Sequence, residues 1–212
     1  MTLLPEERWA KLWRAIGAAG DPLTWHEHLV ASYAEPHRSY HNQRHLAECL
    51  HWLDAAPQVG ERSVAVELAI WFHDAVYDPR AADNEERSAN LAAQCLTVAG
   101  ISDDVVGSVR KLVMVTKHHE IGKEDHAAAL IVDIDLCILG QPASRYSEYE
   151  EQVRQEYSWV PKLLFRKKRA EILKQFLARD RIYATDWFQQ QFEAQARQNL
   201  EAAIKQLRRW FG

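Results

Sequence analysis

The run Val66-Glu67-Leu68-Ala69-Ile70-Trp71-Phe72-His73-Asp74-Ala75-Val76-Tyr77-Asp78 constrains this chain more than any other stretch. Its first part is apolar on every side except at Glu67, and a helix of that kind has to be buried in a core. It then ends in an adjacent histidine and aspartate. Ionisable groups at such a place need partners or a metal, because an unpaired buried charge is very costly. The working expectation is that His73 and Asp74 are metal ligands and that other segments bring the rest of the site to them.

The remainder of the chain reads as helix. Alternating Val/Ile/Thr runs are missing, and only 8 Gly and 7 Pro punctuate 212 residues. Pro5 suits a first turn, and Trp9, Leu12, Trp13 and Ile16 recur at helical spacing up to Gly17. Asp21 before Pro22 opens a second helix, which Glu35-Pro36 breaks. A third is expected from about Ser39 to Ala55, with Leu46, Cys49, Leu50 and Leu53 on its apolar stripe. Ser63 is the expected cap of the buried helix that ends at His73-Asp74. Asn84 to Ala99 follows, closed by Gly100 as the residue past its end. Ser102 opens a helix to about His118, and Gly122 to Glu124 is a loop. Ala127 to Leu139, Tyr146 to Val160, Pro161 to Arg179 and Trp187 to Phe211 complete the set. With no repeat, low-complexity tract or linker, the expectation is a single all-α domain, 1–212, of about nine or ten helices.

A formal net charge of −4 and a pI near 6.2 give no basic field, so binding to nucleic acid is not favoured. Residues 1–14 carry Glu6, Glu7, Arg8, Lys11 and Arg14 and lack the apolar centre of a signal peptide; no run is long enough to span a bilayer. A cytoplasmic protein with no membrane partner is therefore expected. Cys49, Cys95 and Cys137 read as reduced core residues, outside any disulfide or metal site. The eight tryptophans and the amphipathic last helix permit a homodimer.

Four further groups carry chemistry. His41 and His45 are four apart, which on a helix puts both on one face, one turn apart; an incidental exposed pair would look the same. His73 and Asp74, being adjacent, would point about 100° apart on a helix and reach one ion only near a helix end or a distorted turn. Asp133 and Asp135 sit inside an apolar run, where carboxylates are not placed for stability. Being two apart, they face different ways, so at most one is a ligand, and a capping or ion-pair role fits Asp133 better. Thr116-Lys117-His118-His119 closes a helix, either complementing its dipole or presenting a His and an ammonium to an anionic substrate. Two His with two Asp make a mixed N/O set suited to Mn, Fe, Ni, Co, Zn or Mg. An ion held so can lower the pKa of a bound water and polarise a phosphoryl oxygen.

Taken in order, His45 … His73-Asp74 … Asp135 resembles the H…HD…D signature of the HD superfamily of metal-dependent phosphohydrolases. The chain is similar to a bacterial group of predicted phosphohydrolases of that superfamily. The likeness is carried by Arg38-x-Tyr40-His41-Asn42-x-x-His45-Leu46, Trp71 to Asp78, Asn84-Glu85-Glu86-x-Ser88-Ala89 and Thr116-Lys117-x-His119. It continues in Asp133-x-Asp135-Leu136-x-Ile138-Leu139-Gly140 and Arg154-x-Glu156-Tyr157, so the motif-bearing core covers about 38–200. The resemblance implies an HD-domain, phosphodiesterase-like helical fold. It implies His45, His73, Asp74 and Asp135 as ligands of one or two divalent ions, with Asp74 the bridge if two bind. It also implies His41 as general acid on the leaving oxygen. Arg38, Lys117 and Arg154 are candidates for neutralising phosphate charge, Lys117 with His119 beside it at the end of its helix. The lysine that follows the HD pair in some branches is absent. The expected substrate is a nucleotide or another small phosphate ester. An HD-fold di-iron oxygenase and a nucleotide-binding domain without turnover are the alternatives.

Overall fold

The computed structural model describes residues 4–57, 64–119, 121 and 125–208. Among them the fold is all-α: ten α-helices, one short 3-10 helix and no strand. In chain order these are α1 (Glu6–Ala15), α2 (Pro22–Ser32), α3 (Gln43–Ala55), α4 (Val64–Phe72), α5 (Asn84–Val98), α6 (Asp103–Val115), α7 (His126–Asp135), the 3-10 helix Leu136–Gly140, α8 (Ala143–Glu156), α9 (Lys162–Leu177) and α10 (Asp186–Arg208). The expected cap Ser63, the loop 122–124 and Phe211 lie outside the described residues. The chain divides into two compact units, 1–132 and 133–212, with the boundary inside α7.

In the first unit α4 is the hub and packs against α1, α3, α5 and α6. Its apolar composition dictates this, since Ala65, Val66 and Leu68 to Phe72 are all buried. The one polar residue in its middle, Glu67, is offset by Arg8 of α1, whose Nε donates to it at 2.7 Å. Trp9 of α1 meets Trp71 edge-on at 5.3 Å and donates its indole N–H to the Pro22 carbonyl. Local caps set the other ends. Asp21 accepts from the Leu23 N–H at the start of α2. Gly100, at φ +75°, closes α5, with Ile101 N donating to the Leu96 carbonyl.

The second unit is built on α10, which packs against α9 and the 3-10 helix, while α8 also packs on the 3-10 helix. The expected continuous helix to Leu139 changes to the tighter form at Leu136. Its freed carbonyls are taken up by side chains: Asn199 donates to Leu139 and Gln141 at 2.8 Å, and the Tyr183 hydroxyl donates to Leu136. Gly140 is required here, because a Cβ at that position would stand 2.5 Å from the Cβ of Phe192. Among the described residues no single helix is long and apolar enough to cross a membrane; 126–140 and 143–156 pass that test only as a bent pair, as core helices also do.

Candidate metal centre

α4 stops at Phe72, so His73 and Asp74 fall in the turn that follows, with Ala75 N donating to the Phe72 carbonyl. The helix end removes the 100° divergence and lets the neighbouring side chains converge. His73 donates Nδ1–H to the Ile70 carbonyl at 2.8 Å, which leaves the Nε2 lone pair directed away from the helix. His45, buried on α3, brings its Nε2 to 3.1 Å from that atom. Asp74 Oδ2 lies 3.2 Å from His73 Nε2 and 3.5 Å from His45 Nε2.

This triangle has the dimensions of one face of a coordination shell. Ligands about 2.1 Å from an ion are separated by about 3.0 Å at right angles and about 3.4 Å at the tetrahedral angle. The three edges span that range, so His45, His73 and Asp74 fit a divalent cation. Electrostatics point the same way. Burial opposes ionisation of Asp74, but electrostatic attraction by the neighbouring His73 and His41 rings, with hydrogen bonding to His45 and His73, outweighs it and holds the carboxyl well below its usual range. An anionic oxygen is thus maintained among imidazoles.

The surroundings fix this turn. The Tyr33 hydroxyl accepts from the Asp74 N–H and donates to the Trp71 carbonyl. Arg38, with a fully buried side chain, donates Nη1 to the carbonyls of Asp74 (2.5 Å) and His41 (3.2 Å), Nη2 to that of Ala75 (3.0 Å), and Nε to Glu35 (2.9 Å). Its guanidinium also lies over the rings of Tyr33 and Tyr77. The role expected of Arg38, meeting substrate phosphate, gives way to another: it clamps the backbone of the His73-Asp74 turn to that of His41.

His41 is not on a helix face shared with His45. The Asn42 side chain accepts from Arg44 N and His45 N and caps α3, which therefore starts at Gln43 rather than near Ser39. His41 lies just before the cap, and the capping turn still brings its ring to 5.9 Å from that of His45. There it is half-buried and stacked on Tyr77, at 4.3 Å and 25°.

Lys117 and His119 follow the end of α6. Lys117 forms an ion pair with Glu86 of α5 and donates to the Ala82 carbonyl, so its charge already serves a protein partner. The hydrogen bond to Glu86 also raises the Lys117 pKa. His119 is half-buried and holds φ +52°, a left-handed backbone uncommon for a residue with a Cβ.

Asp133 and Asp135 belong to the second unit. Asp133 is fully buried; its carboxylate accepts from Ala184 N, Thr185 N and Thr185 Oγ1, each at 2.7 Å, and so ties down the segment leading into α10. Burial pushes its pKa up to about 6. The N-cap or surface ion pair anticipated for Asp133 is not what it forms: it lies inside α7, fully buried, and holds donors of a segment about fifty residues away. Asp135 is the half-buried last residue of α7 and lies near enough to Tyr149 to help raise that phenol, which burial chiefly shifts.

All three cysteines are buried and none is in a disulfide. Cys49 is more than a core thiol: its Sγ is 3.8 Å from both ring nitrogens of His45, and it falls with His45 and His73 in one group able to hold a metal. The sequence signal was its place four residues after His45 on α3. Comparison with protein-family models, with curated proteins and with solved structures finds no match.

Proposed function

We propose that this protein is a metal-dependent phosphohydrolase acting on a nucleotide or another small phosphate ester. The observation that carries the reading is the triangle of His45 Nε2, His73 Nε2 and Asp74 Oδ2, with edges of 3.1, 3.2 and 3.5 Å. His45, His73 and Asp74 would hold the ion, and Asp135 keeps the fourth place that the sequence resemblance gives it. A divalent ion so bound supplies an activated water and polarises a phosphoryl oxygen.

The residues around it have separate tasks. His73 presents Nε2 because the Ile70 carbonyl holds its Nδ1 proton. Asp74 stays ionised beside two imidazoles. His41, oriented by Tyr77, delivers a proton to the departing oxygen. Arg38 and Tyr33 hold the turn that places Asp74.

The test joins metal analysis to turnover. Purified protein is expected to hold one or two equivalents of a divalent metal and to hydrolyse a mono- or diester across a panel of nitrophenyl phosphates and nucleotides. His45→Ala, His73→Ala, Asp74→Ala and Asp135→Ala are expected to lose metal and activity together. A folded Asp74→Ala protein with full hydrolysis would overturn the assignment.

A further inference from the structure

The connection from α8 to α9 carries an apolar tip. Of the seven large apolar side chains exposed among the described residues, three fall within six positions: Trp159 (48%), Leu163 (61%) and Leu164 (48%). A single exposed leucine is ordinary, but this concentration marks a surface that something else covers. The helix behind the tip is firmly seated, with Phe165, Ala170 and Leu173 buried on its other side. Trp159, Leu163 and Leu164 are absent from the lining of the cavity between α8, α9 and α10, and so face outwards.

The charge around the tip has one sign. Leu163 and Lys167 are four apart, as are Leu164 and Lys168, so each lysine stands one turn, about 6 Å, further along α9 on its leucine's face. Both lysines are exposed. Lys168 is offset by Glu171 at 3.3 Å, but Lys167, and the exposed Lys174 two turns beyond it, have no acidic partner among the described residues. From Gln152 to Ala170 the sole acid is Glu156, and it is buried. An apolar tip with a positive collar thus stands on a chain whose net charge is −4.

These features choose among occupants. A second copy packed face to face would set Lys167 against its own like. An acidic protein would need a pocket shaped to the tip, whereas a bilayer surface needs none, and indole rings favour its interface. We propose that the α8–α9 connection docks peripherally on an anionic lipid bilayer. Trp159, Leu163 and Leu164 enter the boundary between headgroups and acyl chains, about 5–10 Å deep, and Lys167 meets the anionic headgroups, with Lys174 adding to the field. The surface uses residues of the second unit alone and does not depend on the metal-dependent reading above.

The test measures flotation of the full chain with vesicles of phosphatidylcholine alone and of phosphatidylcholine and phosphatidylserine in equal parts. Binding to the anionic vesicles only is expected, weakening as salt is raised. Leu163→Ser with Leu164→Ser is expected to weaken it about tenfold or more, and Lys167→Gln with Lys174→Gln about fivefold or more, with circular dichroism confirming that each variant folds. Tryptophan emission should shift to the blue on binding, and less so in Trp159→Phe. The proposal is overturned if anionic vesicles do not bind the chain at low salt, if neutral vesicles bind it equally well, or if either double variant binds as wild type does. It also fails if vesicles leave the chain unbound while Leu163→Ser with Leu164→Ser dissolves a dimer of the chain or abolishes its binding to soluble polyglutamate.

Discussion

Replacing Arg38 by lysine separates two roles for a buried cation next to a candidate metal centre. The guanidinium makes four hydrogen bonds, three of them to the carbonyls of His41, Asp74 and Ala75 and one to Glu35. A lysine ammonium on its flexible stem cannot reproduce this planar fork. Hydrogen bonds from a charged donor are worth about 1.5–3 kcal/mol each, but they are not additive, and water can reach some of the vacated acceptors. A loss of about 3 kcal/mol is therefore expected, comparable to other broken buried networks. With a urea dependence of about 2–3 kcal/mol per molar, the unfolding midpoint should fall by about 1 M. Tryptophan fluorescence should report this, since Trp71 lies one turn before the clamped segment. Because the clamp sets where Asp74 lies, metal affinity should fall in parallel. A variant that keeps the wild-type midpoint and metal affinity while its KM rises would refute the clamp and return Arg38 to the substrate.

Three other outcomes follow from the same geometry. Chelation should lower the unfolding free energy of wild-type protein by about 2.7 kcal/mol if the free metal stood at a hundred times its dissociation constant, and should leave a folded His73→Ala variant unmoved; equal shifts in both would count against the site. Asp133→Ala should destabilise the protein by about 2–4 kcal/mol in a denaturation experiment, because three donors at Ala184 and Thr185 lose their buried acceptor; a change under about 0.5 kcal/mol would refute that role. Gly140→Ala should cost about 1–3 kcal/mol, since the new methyl would stand 2.5 Å from the Phe192 Cβ, and a neutral substitution would mean that α10 gives way freely.

Much of the architecture was legible locally. The burial of α4 follows from its all-round apolar composition, and the start of α2 at Asp21-Pro22 and the end of α5 at Gly100 rest on interactions within a few residues. The need for a partner at the end of α4 was also legible locally. A histidine and an aspartate closing an apolar helix already called for partners or a metal, and the two-residue spacing already set Asp133 apart from Asp135.

Other features depended on residues far apart in sequence. Position 41 looked helical by spacing, yet the Asn42 side chain outcompeted one more helical turn and left His41 outside α3. Arg38 looked like a phosphate ligand; only tertiary packing shows carbonyls from 36 and 37 residues away closing around it. Cys49 looked like a core thiol until α3 and α4 packed together and set it in one group with His45 and His73. Composition and capping act over one or two turns, and for these the sequence was sufficient. Which side chains converge on one point, and which cations are consumed by the backbone, is decided by contacts between segments, where only the folded chain supplies the partner.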